Sequence, residues 1–302
     1  MSVLIDGDHL NRYVSPALIY DIRNKEDNFT QFLGKVNPGA VTADGVSVQK
    51  LMNVVPVKTG LTEEDTVVKG RLATKKGVIP WMNFTTDALE FTAEELRAIA
   101  FDKEGEGRKI LQSSILNAIL LHTLHAIAPE ATSERTPLVS TTGDANGVAL
   151  KMTPKDIISF LRKTDIKDPV CVLAKNHLLD MQEYEESQSR FNQILINQQT
   201  VTPVPYGGIN FVANDMSIRY TAAGNKRSLT AASAESDRFA SVFIDKANTL
   251  FYLNNLMFIT QDMKNDMVNS IPRSSVRIYG QFIGATVESD RFRGAIIDGV
   301  AP

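Results

Sequence analysis

Two histidines, His122 and His125, lie three residues apart in an apolar stretch of the chain. Residues three apart share one face of a helix, so this spacing could bring two imidazoles to one metal ion. The sequence shows no third ligand beside them, and a strongly apolar helix favours packing or hydrogen bonding for the pair. A metal-dependent enzyme that uses His122 and His125 with a nearby carboxylate is kept as an alternative.

The other reactive residue types show no pattern typical of an active site. Cys171 is the only cysteine, and it lies in the apolar run 170–173, which indicates a core thiol rather than a nucleophile. A single cysteine also excludes an intrachain disulfide framework and a zinc–cysteine cluster. No phosphate loop, dinucleotide fingerprint or serine nucleophile elbow occurs. We therefore predict that the chain is not an enzyme and has no catalytic residue, metal site or cofactor.

Three short charged clusters remain as candidates for contacts with other molecules. They are the acidic Glu63, Glu64 and Asp65, the basic Lys75 and Lys76, and the basic Lys226 and Arg227. Each is predicted to lie in a loop or turn, where solvation is the default. We predict that the acidic cluster and the first basic pair make contacts between subunits, and that the second basic pair contacts phosphate or a neighbouring subunit.

The composition excludes several classes of protein. The chain has 302 residues, of which 43% are hydrophobic, so one large domain or two ordinary ones can bury a core. Its 32 basic and 35 acidic side chains give a net charge of −3, which excludes a polybasic nucleic-acid binder. The most apolar stretch, 115–128, is too short and too polar to span a bilayer. These features are typical of a soluble protein without a membrane partner.

The N-terminal part contains elements that cannot bury their own apolar faces. Residues 1–35 predict an arm with scattered apolar side chains. Residues 36–80 predict a long β-hairpin, with strands at 46–57 and 66–72, an acidic tip and a further turn at 75–77. An isolated hairpin is marginal in water, so its apolar residues need a partner surface in their own domain or in another subunit.

Helical and mixed patterns follow the hairpin. Residues 108–128 carry apolar side chains in helical register over roughly 20 residues, which is about 30 Å of helix. A polar loop at 130–150 then precedes a compact helix–strand–helix pattern at 153–184, and 241–298 is rich in strands. Elements that cannot complete their own core indicate that burial takes place between subunits.

This order of elements resembles the major capsid protein of tailed bacteriophages, the Hong Kong 97-type fold. Arm, extended hairpin, long spine helix, apical domain and peripheral strands occur in this order in that family. The stretch 153–188, which begins Thr-Pro-Lys-Asp-Ile-Ile-Ser-Phe-Leu, is similar to the family's helix–strand–helix pattern. The segments 275–280 and 291–298 resemble its closing strands. The resemblance covers nearly the whole chain, by layout rather than by a sharp motif.

The resemblance implies an α+β, Hong Kong 97-type capsid fold in five parts. They are an N-terminal arm at 1–35, an extended hairpin loop at 36–80, a peripheral domain with the spine helix at 81–150, an apical domain at 151–240 and return strands of the peripheral domain at 241–302. The arm and the hairpin would each reach a neighbouring subunit.

The resemblance also implies a function. The chain would be a structural subunit that self-assembles into pentamers and hexamers of an icosahedral shell enclosing the phage genome. Its partners would be copies of itself, a separate scaffolding protein, a portal and packaged double-stranded DNA, in a virion assembled in the host cytoplasm. An encapsulin-like nanocompartment shell and another ring-forming virion part are alternatives.

Overall fold

The computed structural model describes residues 10–14, 29–51, 74–92, 103–141, 151–187, 204–206, 209–214, 218–264 and 273–299. The helices in these ranges are α1 (Lys103–Ile127), α2 (Pro154–Leu161) and α3 (Lys175–Ser187). The strands are β1 (Leu10–Val14), β2 (Val41–Thr42), β3 (Gly45–Leu51), β4 (Thr74–Pro80), β5 (Met82–Thr85), β6 (Leu89–Thr92), β7 (Leu138–Ser140), β8 (Pro169–Ala174), β9 (Val204–Tyr206), β10 (Ile209–Asn214), β11 (Ile218–Tyr220), β12 (Arg238–Asp245), β13 (Thr249–Lys264), β14 (Arg273–Thr286) and β15 (Arg293–Ile297). Separate sheets combined with a few helices confirm the predicted α+β class.

α1 is the long helix that the apolar periodicity predicts at 108–128, and it begins earlier, at Lys103. One face is buried, and its apolar residues are Leu111, Ile115, Leu116, Ile119, Leu120, Leu124 and Ile127. Each such side chain contributes roughly 1.5–3 kcal/mol when it is fully buried. By length and composition the longer stretch Arg108–Ile127, which begins before the stretch 115–128 considered above, could cross a membrane. The buried face indicates a core helix instead.

α1 packs on a five-stranded sheet in the order β1–β13–β14–β5, in which β6 also pairs with β14. Successive side chains of β14 point to opposite faces of this sheet. Ile278 and Phe282 belong to the core beneath α1, whereas Ile283 belongs to a separate cluster on the other face. That second face is covered in part by the hairpin, so α1, the five-stranded sheet and the hairpin form three layers.

The hairpin consists of β3 and β4, which pair antiparallel along their whole length, and β2 pairs with β3. The sequence predicted a hairpin here, but it placed the returning strand at 66–72 and a turn at 75–77. In the structure 75–77 is part of β4. Ile79 packs in the cluster beneath the hairpin, and the ladder to β3 keeps the neighbouring polar residues extended. Residues 52–73 lie outside the described residues.

The second large sheet has seven strands in the order β7–β15–β12–β8–β10–β9, and β11 also pairs with β12. α2 and α3 cover one face, over a core that includes Phe160, Cys171 and Phe243. The other face contributes Val172 and Val242 to the core beneath α1. The predicted helix–strand–helix unit is thereby confirmed as α2, β8 and α3.

Strand pairing divides the C-terminal region between the two sheets. We expected 241–302 to return to one peripheral sheet. β13 and β14 do join the five-stranded sheet, but β12 and β15 pair with each other in the seven-stranded sheet, where β12 also pairs with β8. The physical reason is that both faces of β12 and β15 are buried, which requires central positions with covered faces on both sides.

Candidate assembly surfaces

The outer face of α1 carries no charge along most of its length. Between residues 110 and 127 the helix has no Asp, Glu, Lys or Arg. Its exposed residues there are Ile110, Ser114, Asn117, Ala118 and His122, and Ile110 is 60% exposed. Helices of soluble proteins usually place charged residues on the solvent side. We call these five residues the α1 outer stripe, and depletion of charge is typical of the centre of a protein interface.

The hairpin turns another apolar residue to solvent. On its inner side Val46 and Ile79 are directly opposed and pack with Trp81 and Tyr252, whose ring centroids are 6.0 Å apart. Val78 is the next residue of the strand, so its side chain points to the outer side. It is 55% exposed.

The α1 outer stripe and Val78 lie on the two outermost layers of the three-layer arrangement. The five-stranded sheet separates these layers, so the two surfaces cannot contact each other within one subunit. They can meet only between copies of the chain. Such a contact joins two different patches, and repeating it produces a closed ring or an open array.

Lys75 and Lys76, which were predicted to contact another subunit, lie in β4. The register places Lys50 opposite Lys75 and Gln49 opposite Lys76. The subunit contact stays a prediction. The acidic residues proposed as partners of these lysines lie outside the described residues; they are Glu63, Glu64 and Asp65.

Lys226 and Arg227, predicted to contact phosphate or a neighbour, have partners within the subunit. The Lys226 side chain is only 2% exposed, and its Nζ lies 2.5 Å from Glu130 Oε1. Burial lowers the pKa of Lys226. Arg227 Nε donates to Asp237 Oδ1 at 2.7 Å. The expectation of solvated loop cations is therefore wrong for Lys226, because the loop folds onto the end of α1. A contact with phosphate or a neighbour stays a prediction.

The two histidines of α1 have different surroundings. His122 is exposed, whereas His125 is half-buried and its Nε2 lies 3.0 Å from the carbonyl oxygen of Arg227. Burial lowers the pKa of His125. Among the residues that the structure describes, no three His, Cys, Asp or Glu side chains are placed to hold a metal ion. Hydrogen bonding at a packed helix end is the interpretation that the geometry supports for His125.

The structure also brings together Ser241, His177 and Asp298, which sequence reasoning missed. Ser241 Oγ lies 2.7 Å from His177 Nδ1, and His177 Nε2 lies 2.7 Å from Asp298 Oδ1. These residue types form the triad of serine hydrolases. Here, however, Ser241 and His177 are completely buried, and Ser241 Oγ accepts the N–H of Ala174 at 3.0 Å.

This triad connects elements of the fold. Ser241 lies in β12, His177 in α3, and Asp298 follows β15 and accepts the N–H of Phe239 at 3.1 Å. These contacts therefore link α3 to β12 and to the end of β15 in the seven-stranded sheet. The sequence contains no signal for it, because its members become neighbours only through the order of the strands.

Comparison with solved structures finds capsids of phages and of a GTA particle. The capsid of the Cyanophage P-SCSP1u matches with a TM-score of 0.55 at 11% identity, over 91% of this chain and 88% of that chain. The capsid of Ralstonia phage GP4 matches with a TM-score of 0.55 at 10% identity, over 92% and 93%. The capsid of a native GTA particle matches with a TM-score of 0.57 at 11% identity, over 91% of both chains. No protein-family model and no curated protein matches the chain.

Because the sequence identities are low, this likeness shows the fold alone. The matched region includes both sheets. About nine tenths of each chain are covered, so the match is not restricted to a small common substructure. The chain therefore has the Hong Kong 97-type capsid fold of tailed bacteriophages, as the order of its elements predicted.

Proposed function

We propose that the chain is the structural subunit of a phage capsid, whose copies form the pentamers and hexamers of an icosahedral shell around the genome. The observation that carries this proposal is the match to phage capsid folds over about 90% of both chains. A shell subunit acts through its contacts and needs no active site. The proposal therefore includes that the chain is not an enzyme.

The uncharged α1 outer stripe and the exposed apolar side chain of Val78 support this assignment. The α1 outer stripe and Val78 lie on opposite outer layers of the described residues, so each copy offers two different surfaces to other copies. Buried apolar area contributes ~25 cal/mol per Å² before the costs of association are subtracted. Individually weak contacts would thus add up over a closed shell in which every copy uses both patches.

The sheets suggest how the subunit is divided. We propose that α1 with the five-stranded sheet forms the peripheral domain, and that the seven-stranded sheet with α2 and α3 forms the apical domain. β12 and β15 then belong to the apical domain, because they pair with its central strands. The arm at 1–35 and the hairpin at 36–80 would extend to neighbouring subunits.

Negative-stain microscopy and light scattering of the purified chain test the proposal. We expect shells, capsomer rings or curved sheets at micromolar concentration. A chain that remains a monomer or a small dimer under all assembly conditions contradicts it. A separate scaffolding protein, a portal and double-stranded DNA are proposed partners, with assembly in the host cytoplasm. Protein cargo inside the particles, in place of DNA, would favour the encapsulin-like nanocompartment.

A further inference from the structure

The C-terminal end of α1 is capped by side chains from the seven-stranded sheet. The last carbonyl groups of a helix have no donors within the helix. Arg293, the first residue of β15, supplies the missing donors from a single nitrogen. Its Nη1 donates to the carbonyl oxygens of Ala126, Ile127 and Ala128 at 3.2, 3.0 and 3.1 Å.

Lys226 adds a second cation at the same place. Its Nζ donates to the carbonyl oxygens of His125 at 2.8 Å and of Ala128 at 3.1 Å. Tyr220, the last residue of β11, donates its hydroxyl to the carbonyl oxygen of Pro129 at 2.7 Å. The carbonyl groups from residue 125 to residue 129 thus all accept hydrogen bonds from side chains that lie about 90 to 170 residues later in the chain.

The backbone connects the same two regions. The N–H of Lys226 donates to the carbonyl oxygen of Glu130 at 2.8 Å. On the other side of the contact, His125 Nε2 lies 3.0 Å from the carbonyl oxygen of Arg227. The end of α1 with the residues after it and the loop after β11 are therefore connected both through backbone and through side-chain contacts.

Burying two cations here is costly, so a compensating interaction is needed. Burial lowers the pKa of both Lys226 and Arg293. The negative end of the α1 dipole and the Glu130 carboxylate offset part of this cost. A buried charge network adds little net stability compared with apolar packing, but separating its members leaves an uncompensated buried charge. The cap is therefore suited to fixing an orientation.

The cap lies where α1 meets the seven-stranded sheet, so it affects how the two sheets are oriented. α1 packs along the five-stranded sheet, while Arg293 and Tyr220 belong to the seven-stranded sheet and Lys226 follows β11. The cap thus joins the two sheets at the end of one rigid rod, where a small change of angle displaces the far ends of the subunit most. In an assembly that repeats one contact, the angle within the subunit determines where the array closes.

We propose that Lys226 and Arg293 are positioning residues that fix the angle between α1 and the seven-stranded sheet, and that this angle sets the curvature of the shell. The inference is built on the proposed shell function, which it extends to the control of particle size. The substitutions that test it are Arg293→Lys, which keeps the charge but not the planar fork, and Lys226→Met, which keeps the length but not the charge. Lys155→Met, an exposed lysine of α2, is the matched control.

Two measurements separate the inference from the function on which it is built. The first is hydrogen exchange of unassembled subunits at the backbone amides of residues 128 and 226. We expect exchange to be at least tenfold faster than in the wild type for both variants, and unchanged for the control. The second is the particle diameter by electron microscopy, where we expect a broadened or shifted distribution for the two variants only.

Each outcome decides one of the claims. Unchanged exchange, or faster exchange with the wild-type diameter, overturns the inference. Failure of the wild-type chain to form any particle overturns the shell function instead, and exchange then still decides whether the cap holds the two sheets together. Where Lys226→Met yields no folded subunit, Arg293→Lys carries both measurements.

Discussion

Thr123 of α1 lies directly on Gly284 of β14, and a Cβ atom at position 284 would stand 2.2 Å from Thr123 Oγ1. The helix and the sheet are therefore as close as a glycine permits. Thr123 is completely buried, and its hydroxyl has no hydrogen-bond partner among the described residues. This contact depends on shape alone, and it holds α1 at one height above the five-stranded sheet.

Gly284→Ala should destabilise the subunit. The added methyl group must displace Thr123 and with it the helix, and overpacking of this kind typically costs about 1–3 kcal/mol. Urea denaturation of unassembled subunits measures the free energy of unfolding. The matched control is Ala285→Gly, which changes the neighbouring residue on the opposite face of β14 by the same methyl group and leaves the space beneath α1 unchanged.

The double variant Gly284→Ala with Thr123→Ala tests the cause. Removing the threonine side chain makes room for the new methyl group, so the two changes should be non-additive by about 1 kcal/mol or more, as expected for residues in contact. Strict additivity would show that the cost at Gly284 comes from somewhere other than the helix contact.

Ala118→Glu should abolish assembly without unfolding the subunit. Ala118 is exposed in the centre of the α1 outer stripe, so a charge there is solvated in the free subunit, and surface changes usually stay within about 0.5 kcal/mol. In a contact between copies the same charge would be buried without a partner. Light scattering measures assembly, and thermal denaturation measures the fold.

Ala118→Ser is the matched control, because it adds a small polar group and no charge. We expect it to assemble like the wild type. Particles of normal shape and yield from Ala118→Glu would mean that the α1 outer stripe faces solvent in the shell, and the support that it lends to the proposed function would be lost.

Local signals explain which elements the sequence predicted. Thr153 and Pro154 are residue types that favour a helix start, and α2 begins at Pro154 with Thr153 as its N-cap residue. The apolar periodicity of α1 lies within one segment, so it could be read directly. The order of these elements along the chain then indicated a capsid fold, which the solved capsids confirm.

The remaining features depend on distant parts of the chain. β12 is buried on both faces, so it has no alternating pattern to show which sheet it joins. Lys226 resembles any loop lysine until the end of α1 is placed beside it, about one hundred residues away in sequence. Likewise, Ser241 and His177 are ordinary residues of a strand and a helix until β12 pairs with β8.

Reversing the charges of the hairpin should disrupt assembly through electrostatics. Lys50 and Lys75 occupy opposed register positions with Lys76 adjacent, so we expect the double variant Lys75→Glu with Lys76→Glu to lose its affinity for an acidic partner. Assembly should fall at least tenfold at low salt. Adding Glu63→Lys and Glu64→Lys should restore part of it, provided that the acidic cluster is that partner.

Salt and DNA distinguish the possible partners of these lysines. Screening above about 0.5 M salt should weaken wild-type assembly in the same direction as the lysine variants, because exposed charge pairs are screened. Restoration by the glutamate reversals identifies a neighbouring subunit. If the lysine double variant forms normal shells that no longer retain DNA, the lysines bind DNA phosphate. That result would contradict the subunit contact.

Asp237 holds the loop between β11 and β12 and should make it sensitive to acid. Its carboxylate accepts the N–H of Ala234 at 3.0 Å and contacts Arg227 and Arg219 at 2.7 and 3.2 Å. The hydrogen bond from Ala234 and the two guanidinium groups lower the pKa of Asp237. Because the folded state binds this proton less readily than the unfolded state, the contribution to stability is complete above the ordinary value of about 3.9 and is lost as pH falls through the lowered pKa.

Asp237→Asn should therefore lower stability at pH 7, and its effect should shrink as the pH falls through the lowered pKa. Urea denaturation of unassembled subunits at several pH values gives the two curves, which we expect to converge as the pH falls below 4. Glu235→Gln, which removes an exposed carboxylate of the same loop, is the control and should run parallel to the wild type. Curves for Asp237→Asn that stay a constant distance below the wild type would place the acid sensitivity elsewhere, since the asparagine would then be removing packing or hydrogen bonds rather than a titrating charge.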